Sequence, residues 1–224
     1  YKLSIFITLA IQAFKYAAEP FFFAQHSDKN SPQLFAKVMK YFVLTCLLMF
    51  MGVSLNLDIL GDLFLKQAVF REGLYVVPVL LLANVFLGIY YNLAVWFKVS
   101  KTETGKFRTH YGLYIAFIGA SITLLANFAL IPILGYLGSA VATLLSYFAM
   151  VLSSYLWGQK YYPIPYNVKA ISAYFMLAIV LVGAFFFIKF DNFILTKVLQ
   201  NTGILLYIFV IYTFEKKNFV MTQM

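Results

Sequence analysis

Five polar residues recur along the first apolar stretch of the chain: Ser4, Thr8, Gln12, Lys15 and Glu19. At about 100° per residue their offsets of 0, 4, 8, 11 and 15 fall within an arc of about 80° on a helix. One face of that helix is therefore polar along its length. An ionisable group at membrane depth is expensive and faces a cavity or a partner. Lys15 falls near the middle of the segment, and Glu19 follows one turn later, where the two side chains can meet. Three chemistries fit this pattern. An internal ion pair with polar neighbours can dock the helix on others. A hydrated path can use Lys15 to attract an anionic group and Glu19 to exchange a proton or sodium ion. The third is snorkelling to an interface, which the depth of Lys15 opposes.

Two further segments repeat the theme. Asn84, Gly88 and Asn92 stand four apart with Trp96 continuing the row, and Gly119, Thr123 and Asn127 do the same later in the chain. Buried asparagines bond across helices and small residues let helices approach, so packing accounts for these rows; convergence on one cavity with Gln12, Lys15 and Glu19 is the sharper alternative. Gly112, Ala116 and Ala120, the pair Gly138 and Ala142, and the pair Ser139 and Thr143 read as packing contacts. No Gly-rich phosphate loop or Ser/His/Asp arrangement is legible, and His26 and His110, far apart and in connections, give little support to a metal site. The expectation is of no cofactor beyond a coupling ion, H+ or Na+.

The elements that carry these residues are set by composition. The 224 residues are 63% hydrophobic and 11% charged, with a mean hydropathy of +0.85, where a soluble domain carries about 25% charged residues. Such a chain has too few polar groups to face water, so its solvent is lipid. Seven stretches reach the roughly 20 residues a helix needs to cross a bilayer. They run from Leu3 to Phe23, Tyr41 to Leu60, Leu74 to Phe97, Tyr111 to Ile133, Tyr136 to Trp157, Ala170 to Ile188 and Phe193 to Phe214. Runs such as VVPVLLLANVFLGIYYNLAVW lack the alternation of barrel strands, and helices remain the way to satisfy the backbone in lipid. The fold expected is an all-α integral membrane protein of about seven spans. Pro20 and Pro78 fall inside spans and can kink them, and in the turn IPILGYLG Pro132 is expected to stop one helix and two glycines to reverse the chain. Cys46 reads as a packing residue.

The net charge of +9 forms no stripe or arm that would read nucleic acid. Eleven Lys and Arg fall in alternate connections on one side, five on the other, and Lys15 within a span. Because cytoplasmic loops are enriched in Lys and Arg, the C-terminus is expected to be cytoplasmic and the first helix to enter from outside. The most polar connection, KVSKTETGKFRTH from Lys98 to His110, separates three helices from four, and YYPIPY from Tyr161 to Tyr166 makes a second break. The chain opens on Tyr1 inside an apolar segment, which reads as a fragment of a longer protein.

The stretch NFALIPILGYLGSAVATLLSYF, from Asn127 to Phe148, resembles the hairpin of the polysaccharide biosynthesis C-terminal region. That region belongs to flippases of the MATE-like multidrug/oligosaccharidyl-lipid/polysaccharide superfamily. AEPFFF at Ala18 to Phe23 and LLANVFLGIYYNLAVWFK at Leu81 to Lys98 are similar to that family as well. The resemblance implies a second transporter bundle over residues 1–160, here of five helices and lacking its first, with two additional C-terminal helices over 161–224. It implies a bacterial cytoplasmic-membrane protein that moves an undecaprenyl-diphosphate-linked oligosaccharide outward by alternating access. The implied partners are that lipid-linked cargo, membrane lipids and other polysaccharide assembly proteins. The cavity candidates are Lys15, Glu19, Gln12, Asn84, Asn92 and Asn127, with Lys15 the cation for a pyrophosphate. A cation-coupled drug exporter of the same superfamily, using Glu19, is the nearest alternative. A membrane polysaccharide polymerase or acyltransferase would want a long outer loop or an intramembrane His-rich site, and neither is legible, so the chain is not expected to be an enzyme.

Overall fold

A computed structural model describes residues 5–64, 73–188 and 190–223, with backbone alone at 5, 6 and 217–223. Ser4, Lys2, Lys66, Arg71, Lys189 and the expected helix start at Leu3 lie outside the described residues. Nine helices are present among the described residues: α1 (Ile5–Gln25), α2 (Ser31–Leu55), α3 (Leu57–Phe64), α4 (Val77–Leu93), α5 (Val95–Val99), α6 (His110–Leu134), α7 (Tyr136–Tyr161), α8 (Val168–Phe186) and α9 (Phe193–Gln223). No strand occurs among them; one isolated bridge joins Lys101 to Phe107. Six helical segments are long and apolar enough to cross a membrane. The chain is thus an all-helical, multi-pass membrane protein. The first expected span does form, as the 21-residue α1, but Gln12, Lys15 and Glu19 dilute its apolar content and it is not one of the six.

Helix α2 starts at Ser31, ten residues before the apolar run at Tyr41. Pro32 sits in its first turn, where a missing N–H costs nothing, and Phe35 and Met39 are buried while Lys37 and Lys40 stand on the opposite side of that amphipathic first part. At 25 residues α2 is about 37 Å long. It is also the centre of the bundle: 56% of its most apolar window is buried, against 6% for α6. The main core joins α1, α2, α4, α8 and α9 through side chains such as Ile11, Val43, Leu47, Leu81 and Tyr174. Helix α6 packs on α7 and little else, so its remaining surface, including Phe117, Leu125 and Phe128, is exposed.

Pro78 lies within the helical segment Gly73–Val99, in the first turn of α4. One proline expectation is corrected. Pro132 lies inside α6, which continues to Leu134; Gly135, at φ +56°, makes the stop. That left-handed conformation is open to glycine at little cost. Gly138 then lets α7 turn back against α6, for a Cβ there would fall on the Leu130 carbonyl. The polar connection 100–109 is an ordered reverse turn: Thr102 N–H donates to the Lys106 carbonyl (2.8 Å), and Gly105, at φ +78°, donates to the Thr102 carbonyl (2.9 Å).

Candidate functional site

The buried ridge of α1 is Ile7, Ile11, Ala18 and Phe22, with Phe14 partly buried in the same row. Each polar residue of the stripe follows one of these by a single position, about 100° round the helix. Thr8, Gln12, Lys15 and Glu19 therefore line the border between the packed face and the exposed face that carries Leu9, Tyr16 and Phe23, and all four are half-buried. The border looks toward α4 and α5, which run parallel to α1. Gly88 permits the approach, since a Cβ there would lie 3.1 Å from Ile11 and 2.8 Å from the Phe42 ring of α2.

Lys15 and Glu19 do not pair with each other. Lys15 Nζ lies over the Tyr91 ring, 4.4 Å from its centroid, and Lys98 Nζ donates to Glu19 Oε1 at 2.5 Å. The reason is geometric: a parallel neighbour offers Glu19 a cation one turn deeper toward the connection 100–109, while Lys15 is left level with an aromatic face. Glu19 is thereby neutralised, whereas no carboxylate pairs with Lys15 among the described residues. A cation over a ring is held by about 0.5–2 kcal/mol, the upper end where water is excluded, and its N–H donors stay available.

Asn92, two turns before Val99 on the same span, is 2% exposed, and neither atom of its amide has a hydrogen-bond partner. A buried amide in that condition costs about 1–3 kcal/mol. Asn84 is half-buried on α4. Asn127 lies elsewhere. Its Nδ2 donates back to the Thr123 carbonyl (2.8 Å), Thr123 donates to the Gly119 carbonyl (2.8 Å), and Ser146 of α7 donates to that same carbonyl (2.8 Å). A Cβ at Gly119 would meet Met150 Sδ at 2.6 Å. The α6 row thus serves its contact with α7, and α6 does not pack against α1. The structure brings Gln12, Lys15, Glu19 and the third span together and leaves Asn127 on the far side of α7.

Three polar ties were not legible beforehand. Glu215 of α9 accepts from Lys40 of α2 (2.6 Å) and from the Tyr174 hydroxyl of α8. At the other end of the bundle Lys197 of α9 forms an ion pair with Asp58 (2.5 Å) and donates to the Leu55 carbonyl (2.9 Å) and Gln200 Oε1 (2.6 Å), and Asn56 and Asn201 exchange amide hydrogen bonds at 3.0 and 3.1 Å. Beside the connection 100–109, Trp96 donates to Ser154 (3.2 Å), Tyr111 donates to the Tyr161 hydroxyl (2.7 Å), and the Arg108 guanidinium covers the Tyr161 ring at 4.2 Å. Glu215 follows the expected span that ends at Phe214, and Lys40 precedes the one that starts at Tyr41, where no partner is sought. Tyr166, in the connection between α7 and α8, buries its hydroxyl without a partner, and burial pushes its ionisation well above the ordinary tyrosine range.

No family model, curated protein or solved structure matches this chain.

Proposed function

We propose that the chain belongs to a transporter that moves the head group of a lipid-linked oligosaccharide across a bacterial cytoplasmic membrane by alternating access. The border between α1 and α4–α5 forms part of the polar route. The observation that carries this reading is Lys15: a cation at mid-helix, half-buried, held by the Tyr91 ring and paired with no carboxylate among the described residues. A diphosphate linking sugar to lipid is the anion such a cation suits, and tails stay in the bilayer while the head group follows the polar edge. Glu19, held by Lys98, fits the coupling role of a cation-driven exporter less well. The clustering of Lys and Arg in alternate connections supports a cytoplasmic C-terminus.

Reconstitution tests it directly. Proteoliposomes carrying a fluorescent undecaprenyl-diphosphate sugar should translocate it at least tenfold more slowly with Lys15→Met and near the native rate with Lys15→Arg. Full transport by Lys15→Met sinks the proposal. Cysteines placed at Gln12, Lys15 and Asn92 should react with an aqueous thiol reagent in at least one transport state. A tag on Met224 should be sealed from outside reagents in intact cells.

A further inference from the structure

A second polar site sits at the opposite end of the bundle from the connection 100–109. A cavity of about 570 Å³ opens there between the end of α2, α3, and the starts of α4, α7 and α9. Its volume falls within the roughly 300–1,000 Å³ range of small-molecule sites. It is lined by Ser54, Asp58, Tyr75, Tyr136, Lys197 and Gln200, set among apolar walls.

The hydrogen-bond inventory decides what the cavity can take. Lys197, only 11% exposed, pairs with Asp58 and donates to the Leu55 carbonyl and Gln200. Gln200, 4% exposed, accepts from Lys197 and donates one Nε2 hydrogen to the Ile188 carbonyl at 2.9 Å. These two groups build the floor, with the second Nε2 hydrogen of Gln200 left over. Ser54 is open as well. Its residue is 1% exposed, it lines the cavity, and its hydroxyl has no partner. Asp58 receives Lys197 and the Ile59 N–H on Oδ1 alone, and its side chain is 49% exposed, so Oδ2 stands ready to accept. Tyr75 and Tyr136 form the apolar platform, with ring centroids 5.6 Å apart and about half of each residue exposed.

The charge balance narrows the class further. Among the described residues that line the cavity, Asp58 is neutralised by a cation that is itself fixed, so they offer no net charge to an anion or to an organic cation. What remains among them is an acceptor, an amide N–H, a hydroxyl that both donates and accepts, and aromatic faces that cover C–H surfaces. That set matches a ring rich in hydroxyls. We infer that this cavity is a binding site for a neutral sugar ring, with Asp58 Oδ2 and Ser54 Oγ taking its hydroxyls and Tyr75 and Tyr136 its apolar face. The site is separate from Lys15, and the inference holds whether or not the transported cargo is a glycan.

The test uses the full chain in lipid nanodiscs, titrated by calorimetry with D-glucose, D-galactose and N-acetylglucosamine, with glucuronate and choline as charged comparators. At least one neutral sugar should bind saturably, and at least tenfold more tightly than either comparator. Tyr75→Ala should weaken that binding at least tenfold, and Ser54→Ala about threefold. Asp58→Asn, which keeps a side-chain acceptor but loses its charge, should weaken it about tenfold. Thermal melts of each variant identify any loss through misfolding, and Tyr75→Ala, changed at a half-exposed position, supplies the deciding comparison. Tighter binding of choline or glucuronate overturns the inference, as does the absence of saturable binding by all three sugars to folded protein, or unchanged affinity in Tyr75→Ala.

Discussion

The exchange of partners at Glu19 can be measured by two double-mutant cycles. Glu19→Gln and Lys98→Met remove the observed pair singly and together; Glu19→Gln and Lys15→Met do the same for the pairing that the spacing alone would suggest. The Lys98–Glu19 contact is 2.5 Å, with side chains 28% and 34% exposed. Fully exposed pairs couple by about 0.2–1 kcal/mol, and breaking a fully buried pair costs about 3–5 kcal/mol. A pair with about two-thirds of each side chain covered belongs between them, at a coupling of about 1.5 kcal/mol, roughly a tenfold change in the unfolding constant. The Lys15–Glu19 cycle should be additive to within about 0.3–0.5 kcal/mol, because Lys15 is engaged with Tyr91 instead. Reversible unfolding in mixed micelles, followed by tryptophan fluorescence, reports both cycles. The Lys98–Glu19 cycle coming out additive, or the Lys15–Glu19 cycle coupling by more than 1 kcal/mol, refutes the assignment of partners.

Three further outcomes follow from single contacts. Lys40→Met should lower stability by about 2 kcal/mol by stranding Glu215 among α2, α8 and α9, and adding Glu215→Gln should recover most of that loss in the same unfolding assay. Gly138→Val puts a Cβ on the Leu130 carbonyl, which is backbone and cannot swing aside, so the melting transition should drop by the equivalent of about 3 kcal/mol. Tyr166 has its ionisation raised by burial, so the folded state keeps a proton that the unfolded chain gives up from about pH 10; stability from this group is intact below that pH and declines above it. Tyr166→Phe should therefore flatten the alkaline arm of a stability–pH curve and leave neutral-pH stability equal or slightly higher, since it removes a buried hydroxyl that has no partner.

The helical, lipid-facing character of the chain was legible because it depends on sums over long windows: few charges, apolar runs of about twenty residues, no alternation. Boundaries failed where a helix is amphipathic rather than apolar. The first ten residues of α2 carry Lys37 and Lys40 on one side and Phe35 and Met39 on the other, so a hydropathy run begins too late. The α6–α7 turn and the glycines that reverse it were legible, but the stop was assigned to Pro132 when the positive φ of Gly135 makes it. A proline in the last turn of a helix disturbs an N–H bonded one turn back and leaves later residues free to continue.

The candidate site divides the same way. Periodicity gives the direction in which a side chain leaves its own helix, so the stripe on α1 and its half-buried setting could be read from spacing. It does not give the neighbour that side chain meets. Lys15 and Glu19 share a face, yet a second helix running parallel at that face puts Tyr91 level with one and Lys98 level with the other. A local pair along one helix is worth only about 0.2–0.5 kcal/mol. A charge-assisted contact to an adjacent helix at membrane depth is worth more. The interhelical choice therefore wins at Glu19 and, as a consequence, leaves Lys15 with no carboxylate partner among the described residues. The same asymmetry explains why Asn127 could not be sorted from Asn92 by spacing: both sit in rows of period four, but Asn127 bonds its Nδ2 back along its own helix and leaves only Oδ1 unpartnered, while the Asn92 amide is buried with neither atom paired.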